Sequence, residues 1–208
     1  MLLKKIFDLP VSLISLICLF PVFIVIFFLV KMDMPDGPVL FRQKRVGQDG
    51  KLFTLYKFRT MRLNSSLNTI SVKGDDRITS IGKLLRKFKL DELPEIVNIL
   101  NGDMSFVGPR PDVPGYADHL KGTDREILYL KPGITGPASL KYINEEELLS
   151  NVDDPKEFND KVIFPDKVRI NLLYLKNWSI WLDIKIIWHT IIRKKYNEKE
   201  YFSDKNKL

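Results

Sequence analysis

LPVSLISLICLFPVFIVIFFLV, residues 9–30, is an uncharged run of 22 residues, about the length that crosses a hydrocarbon core as an α-helix. It sets the layout of the chain: an apolar anchor first, then a charged and folded remainder. The run is longer than the apolar region of a cleavable signal peptide and no small-residue cleavage site follows it, so it reads as a retained anchor. Pro21 sits near its middle, where it removes one backbone hydrogen bond and crowds the preceding turn, and a sharp bend is expected there. A bent helix enters and leaves the bilayer by one face, whereas a straight one crosses it, and spanning helices tolerate proline too. In the bent form the freed carbonyls need partners, for which Ser12 and Ser15 are nearby candidates. Lys4 and Lys5 precede the run and Lys31 follows it, so the flanks give no orientation.

Outward from the anchor, 208 residues allow one compact domain rather than two. The excess of 33 basic over 26 acidic residues, a formal charge of +7, suits partners that carry phosphate, whether nucleotide, nucleic acid or anionic lipid. The single cysteine, Cys18, excludes an intrachain disulfide framework and a cysteine-based zinc site. Residues 39–59, VLFRQKRVGQDGKLFTLYKFR, read as two strands joined at GQDG, because Asp49-Gly50 favours a hairpin turn and the flanks are rich in Val, Phe, Leu and Tyr. Between Arg42 and Arg62 seven Lys or Arg residues face one acid, Asp49. That basic hairpin fits anionic lipid beside the anchor as well as a nucleotide. It superficially permits a nucleic-acid binder, which the lipid-length run and an acidic centre fit poorly.

Residues 63–76 read as a loop. ITSIGKLLRKFKL then has the spacing of a short amphipathic helix whose buried face is Ile78, Ile81, Leu84, Leu85 and Phe88. A second helix is expected to begin at Asp91, with Pro94 in its first turn, and to end at Asn101-Gly102. GDMSFVGPRPDVPG (residues 102–115) and KPGITGP (131–137) have turn composition, and they frame a helical stretch from Tyr116 to Tyr129. Beyond residue 144 the chain is acidic and helical with a break at Pro155. WSIWLDIKIIWHTII (178–192) then places Trp181, Ile184, Ile187, Trp188 and Ile191 along one stripe before Arg193-Lys194-Lys195. Trp with a basic end suits a helix lying in a membrane interface; a core helix, or a contact with a second copy of the chain, uses the same pattern.

Adjacent acids at a helix start, such as Asp91 and Glu92, offset the helix dipole and cap free amides, and by themselves they need no other explanation. Their setting changes the reading. Arg86, Lys87 and Lys89 precede the pair, and Arg110 lies in a rigid Pro-Gly loop. Two such carboxylates can divide their work, one attacking phosphorus and the other holding a metal ion, with arginines forking onto phosphate oxygens.

LDELPEIVNILNGDMSFVGPRP, residues 90–111, resembles the signature of the bacterial monotopic phosphoglycosyl transferases, and the chain is similar to the minimal form of that family. The likeness continues through FRQKRVG, YKFRTM, IGKLLRKFKLDELP and KPGITG in the same order and covers most of residues 6–140. It implies a mostly α fold with a small β-hairpin: a proline-broken re-entrant membrane helix over residues 1–35, a compact catalytic domain with interfacial amphipathic helices over 36–195, and a polar tail over 196–208. It also implies that Asp91 attacks a UDP-sugar, that UMP leaves, and that polyprenol phosphate takes the phosphosugar. By the same resemblance Glu92 is expected to help hold Mg²⁺, and Arg86, Arg110 and Arg59 to lie near the phosphates. The resemblance further implies that Pro21 breaks the membrane helix and that both of its ends stay on the cytoplasmic side of the bacterial inner membrane. Two departures stand out. Phe20 occupies a position where Ser is frequent before the proline, and ASLKYINEEELL lacks a Gly-Arg-Asn found in some relatives, with Ile143 falling near their arginine.

Overall fold

Helix α1 (Leu2–Asp33) carries the apolar run and is long and apolar enough to cross a bilayer. Pro10 and Pro21 both lie inside it, so any change of direction at Pro21 falls within one continuous helix. The chain here is a computed structural model that describes residues 2–62 and 77–202; the loop expected over 63–76 lies outside the described residues. After α1 come the strands β1 (Leu40–Val46) and β2 (Leu52–Phe58), helices α2 (Ser80–Lys87) and α3 (Glu95–Leu100), and strands β3 (Ser105–Val107) and β4 (Gly133–Thr135). Helices α4 (Pro137–Lys141), α5 (Glu145–Ser150), α6 (Pro155–Phe158), α7 (Phe164–Asn177), α8 (Ile180–Ile191) and α9 (Glu198–Tyr201) complete the chain.

One face of α1 is buried against the rest of the protein at near-helical spacing, through Lys4, Asp8, Ser12, Ile26 and Val30, and Met34 just beyond it is buried too. The opposite face leaves Leu13, Ile14, Ile17, Phe20 and Val25 exposed. At its start, Lys4 Nζ donates to Asp183 Oδ2 at 2.6 Å and to the Tyr174 hydroxyl at 2.9 Å. Tyr174 in turn donates to Asp183 Oδ1, and Trp178 Nε1 donates to Oδ2 at 3.1 Å. At its other end Ile26, Val30 and Met34 join Val39, Phe58 and Leu85 in one apolar cluster, with Leu90 and Leu93 packed on it. Ser12 donates to Leu9 O one turn back and so does not serve the carbonyls near Pro21.

The hairpin forms as expected, with Val46 opposite Leu52, around a five-residue connection in which Asp49 and Gly50 take positive φ. Helix α3 seals its free edge: Asn98, fully buried, accepts from Tyr56 N at 3.1 Å and donates to Thr54 O at 2.7 Å. The segments expected as turns, 102–115 and 131–137, contain more order than their composition announces. β3 and β4 pair in parallel, with Gly108 N donating to Thr135 O and Gly133 N to Pro109 O. Glycine makes this possible. A Cβ on Gly133 would stand 2.1 Å from Gly108 N, and one on Gly108 would stand 2.2 Å from Lys131 O.

Two further expectations need correction. The buried face of α2 consists of Leu85 with Ile81 and Gly82, while Leu84 and Phe88 are about half exposed; apolar spacing marks a helix but not which side meets the core. The α-helix expected from Asp91 begins at Glu95, because Leu90–Glu92 form a separate 3₁₀ turn and Pro94 stands at the N-cap. Helix α8 divides its faces: Leu182 and Ile186 enter the core, and Trp181, Trp188 and Ile191 remain exposed. His189 is packed, with its Nδ1 2.5 Å from the Tyr201 hydroxyl. Tyr196, Tyr201 and Phe202, which the sequence places in the polar tail, pack on the cluster of Leu140, Tyr174 and Ile186.

Candidate active site

Asp91 and Glu92 occupy a turn fixed from both sides. Leu90 and Leu93 pack on the cluster at the end of α1, and Ile96 and Ile99 of α3 are buried. Lys89, in the left-handed region at φ 57°, turns the chain out of α2 and into Leu90. The two acids are thereby almost fully buried, although most buried carboxylates are found paired.

Glu92 is paired twice at one oxygen. Its Oε1 accepts from Lys57 Nζ at 2.8 Å and from Arg110 Nη2 at 2.9 Å. Burial pushes the Glu92 carboxyl upward, but Arg110, Lys57 and Lys89 outweigh burial and hold it well below the usual carboxylate range. Glu92 in return holds the Arg110 guanidinium firmly charged. Asp91 is treated differently. Burial and the neighbouring Glu92 raise its pKa, against smaller opposing effects of Lys57, Lys89 and Arg86, and its Oδ1 is buried without a hydrogen-bond partner. An unsatisfied buried acceptor costs about 1–3 kcal/mol, so this oxygen is poised to gain from a bonding partner.

The loop that delivers Arg110 is held by the β3 and β4 pair, and Val46 N donates to Asp112 O at 2.9 Å. Burial raises the Asp112 carboxyl to about 6, against the opposing charges of Lys167, Arg45 and Arg110. Arg86 lies close enough to lower the Asp91 pKa, and it also donates to Glu146 Oε1 on α5 at 2.7 Å. Arg59 is placed elsewhere: it is buried, and its terminal nitrogens donate to Met34 O at 2.5 Å and Asp36 O at 2.8 Å, where α1 ends. The structure therefore gathers Asp91, Glu92, Arg110 and Arg86, and joins Arg59 to the anchor.

Two members of the site do not stand out in the sequence reading, Lys57 and Glu95. Lys57 continues the alternate row of Phe53 and Leu55 on β2, and a lysine in that row is a readable signal. Glu95 lies three residues after Glu92, at the first position of α3, and its Oε1 is 3.2 Å from Lys57 Nζ. Burial first, then Glu92, raises the Glu95 carboxyl to about 7.

Among the described residues no cluster of three or more His, Cys, Asp or Glu side chains is arranged to hold a metal ion. The donors present suit a hard cation such as Mg²⁺, which is commonly held by one or two carboxylates plus substrate phosphates. Asp91, with its Oδ1 unpartnered, and Glu92, held in its charged form, are two adjacent carboxylates of that kind.

A buried acid pair on one turn thus lies against Lys57 from β2 and Arg110 from a Pro-Gly loop, in a folded part packed on an apolar helix. The chain belongs to the bacterial sugar transferase family, whose model matches residues 1–195. It is 35% identical over 206 residues to UDP-glucose:undecaprenyl-phosphate glucose-1-phosphate transferase of Escherichia coli (strain K12), covering 96% of this chain and 42% of that protein. It is 34% identical to UDP-N-acetylgalactosamine-undecaprenyl-phosphate N-acetylgalactosaminephosphotransferase of Aeromonas hydrophila, covering 91% of this chain and 43% of that protein. The uncharacterized sugar transferase EpsL of Bacillus subtilis (strain 168) is 35% identical, covering 92% of this chain and 86% of that protein. The chain thus spans less than half the length of the named sugar-phosphate transferases.

Proposed function

We propose that the protein transfers a sugar phosphate from a UDP-sugar to polyprenol phosphate, with release of UMP, through a phosphosugar bound covalently to Asp91. The observation that carries this reading is the buried, unpartnered Asp91 Oδ1 beside an ionised Glu92 under Lys57 and Arg110. In the first step a carboxylate oxygen of Asp91 attacks the β-phosphorus. The bond from that phosphorus to the bridging oxygen breaks, and the electron pair leaves with UMP. In the second step an oxygen of polyprenol phosphate attacks the same phosphorus, the bond to Asp91 breaks, and the carboxylate is restored. Burial and Glu92 make Asp91 a poorly stabilised anion, a condition that bonding to phosphorus relieves. Arg110, half exposed, faces outward to fork onto phosphate oxygens, and Arg86 adds positive charge from α2. Glu92, with Asp91 beside it, would hold Mg²⁺, which supplies neutralisation of phosphate oxygens when bound.

The same reading places α1 as a re-entrant helix bent at Pro21, with the folded domain on the cytoplasmic side of the bacterial inner membrane. Supporting it, Lys4 is tied to Asp183 before the proline, and Ile26 and Val30 pack against Phe58 and Leu85 after it, so both flanks rest on the same folded part. The exposed apolar residues of α8, followed by Arg193 to Lys195, suit contact with anionic lipid.

Purified protein incubated with Mg²⁺, polyprenol phosphate and a panel of UDP-sugars tests the reaction. We expect UMP release with one sugar and, when acceptor is withheld, an intact mass increased by one phosphosugar that is missing in Asp91→Asn. No UMP with any sugar defeats the transferase reading; UMP release by Asp91→Asn defeats the covalent step. Tags at the two ends of α1 that label on opposite sides of intact cells defeat the re-entrant helix.

A further inference from the structure

Glu95 is a buried carboxyl to which the proposed reaction gives no task. It is only 3% exposed, and among the described residues Lys57 is the one cation within ion-pair reach of it. Lys57 is contested between two acids: its Nζ is 2.8 Å from Glu92 Oε1 and 3.2 Å from Glu95 Oε1. The contest is unequal in need. Glu92 has Arg110 on the same oxygen and stays neutralised without Lys57, whereas Glu95 depends on it. The two elements that carry this triangle are fixed to each other by Asn98, which bonds the β2 backbone one turn along α3 from Glu95. An ammonium has three donors, so a Lys57 held by Glu95 retains donors for a further oxygen.

Resting on the reaction proposed above, we propose that Glu95 is a positioning residue that pins Lys57 at the carboxylate pair and keeps it there when the phosphates of a UDP-sugar bind. Without that pin, the flexible lysine stem leaves the ammonium free to move toward solvent, and the phosphoryl group meets one donor fewer. Glu95 then acts through Lys57 alone. This makes a definite statement about non-additivity, since residues that act as one unit do not show independent effects.

The test is a double-mutant cycle on UMP release with Glu95→Gln, Lys57→Met and the two combined. Glu95→Gln is expected to lower kcat by about 10- to 100-fold, the scale of a misplaced catalytic group, with a smaller change in KM for the UDP-sugar. The double variant should be no slower than Lys57→Met. A double variant slower than Lys57→Met by the full Glu95→Gln factor overturns the proposal, as does wild-type kcat in Glu95→Gln. A readout independent of turnover is the rate at which an amine reagent acylates Lys57 in the unliganded protein, followed by peptide mass spectrometry. It should rise in Glu95→Gln, and an unchanged rate also overturns the pin. If Glu95→Gln does not fold, Glu95→Asp, which keeps the charge and shortens the reach, takes its place in both measurements. Absence of UMP from the wild-type protein defeats the reaction and not the pin, on which the labelling still reports.

Discussion

Two buried acid clusters in this protein use the same chemistry to opposite ends. At the start of α1, Asp183 receives Lys4, Tyr174 and Trp178 on its two carboxylate oxygens and is closed to anything else. At the candidate active site, Glu92 concentrates Lys57 and Arg110 on one oxygen while Asp91 keeps an oxygen with no partner. Completeness separates them. A fully bonded acid joins elements together, and an incompletely bonded one stores a demand that a ligand can meet.

Substitutions can break that contrast. Asp91→Asn should lower turnover by more than about 10³-fold while leaving the melting temperature equal or slightly higher, since a buried carboxyl repelled by Glu92 becomes a neutral amide. A large fall in melting temperature would make Asp91 a structural residue. Asp183→Asn should do the reverse: it leaves Lys4 buried opposite a neutral group, at a cost of about 3–5 kcal/mol, and thermal melting in detergent should show a marked fall. UMP release per folded molecule should be largely kept, and its loss would tie the anchor cluster to chemistry. Arg110→Met should cost about 10²-fold in kcat with little effect on melting, because the guanidinium is half exposed and Lys57 still neutralises Glu92.

The smallest effect sharpens the contrast through pH. Glu95 titrates at about 7 in the folded protein against 4.5 for an ordinary glutamate, so between these values the folded state holds a proton that the unfolded state has lost. Its contribution therefore makes stability decline as pH rises from about 4.5 to 7. Denaturation at several pH values should show that slope reduced in Glu95→Gln, and an undiminished slope would assign it to other groups.

Much of this was legible in the sequence, and the failures have physical causes. The apolar run, the hairpin and the helices announce themselves by length and periodicity, and Asp91, Glu92 and Arg110 do meet. Lys57 and Glu92 are 35 residues apart, so the contact between them exists only once α3 lies on the hairpin. β3 and β4 are three residues each and set among Pro and Gly, where turn composition conceals a pairing that rests on glycines approaching backbone to backbone. Leu84 and Phe88 mislead because a helix that is apolar on more than one side does not say which side is the core. Arg59, which only the family resemblance sets near the phosphates, donates to Met34 O and Asp36 O at the end of α1, a contact between distant segments that the sequence does not display.

The bond between Lys4 and Asp183 also has a consequence in time. The lysine leaves the ribosome 179 residues before its acid, which at about 5–20 residues per second is an interval of about 10–35 s. Throughout that interval the first turns of α1 carry a cation with no counter-charge from α8. The last helices to be made therefore close the ion pair that ties the start of α1 to the folded part.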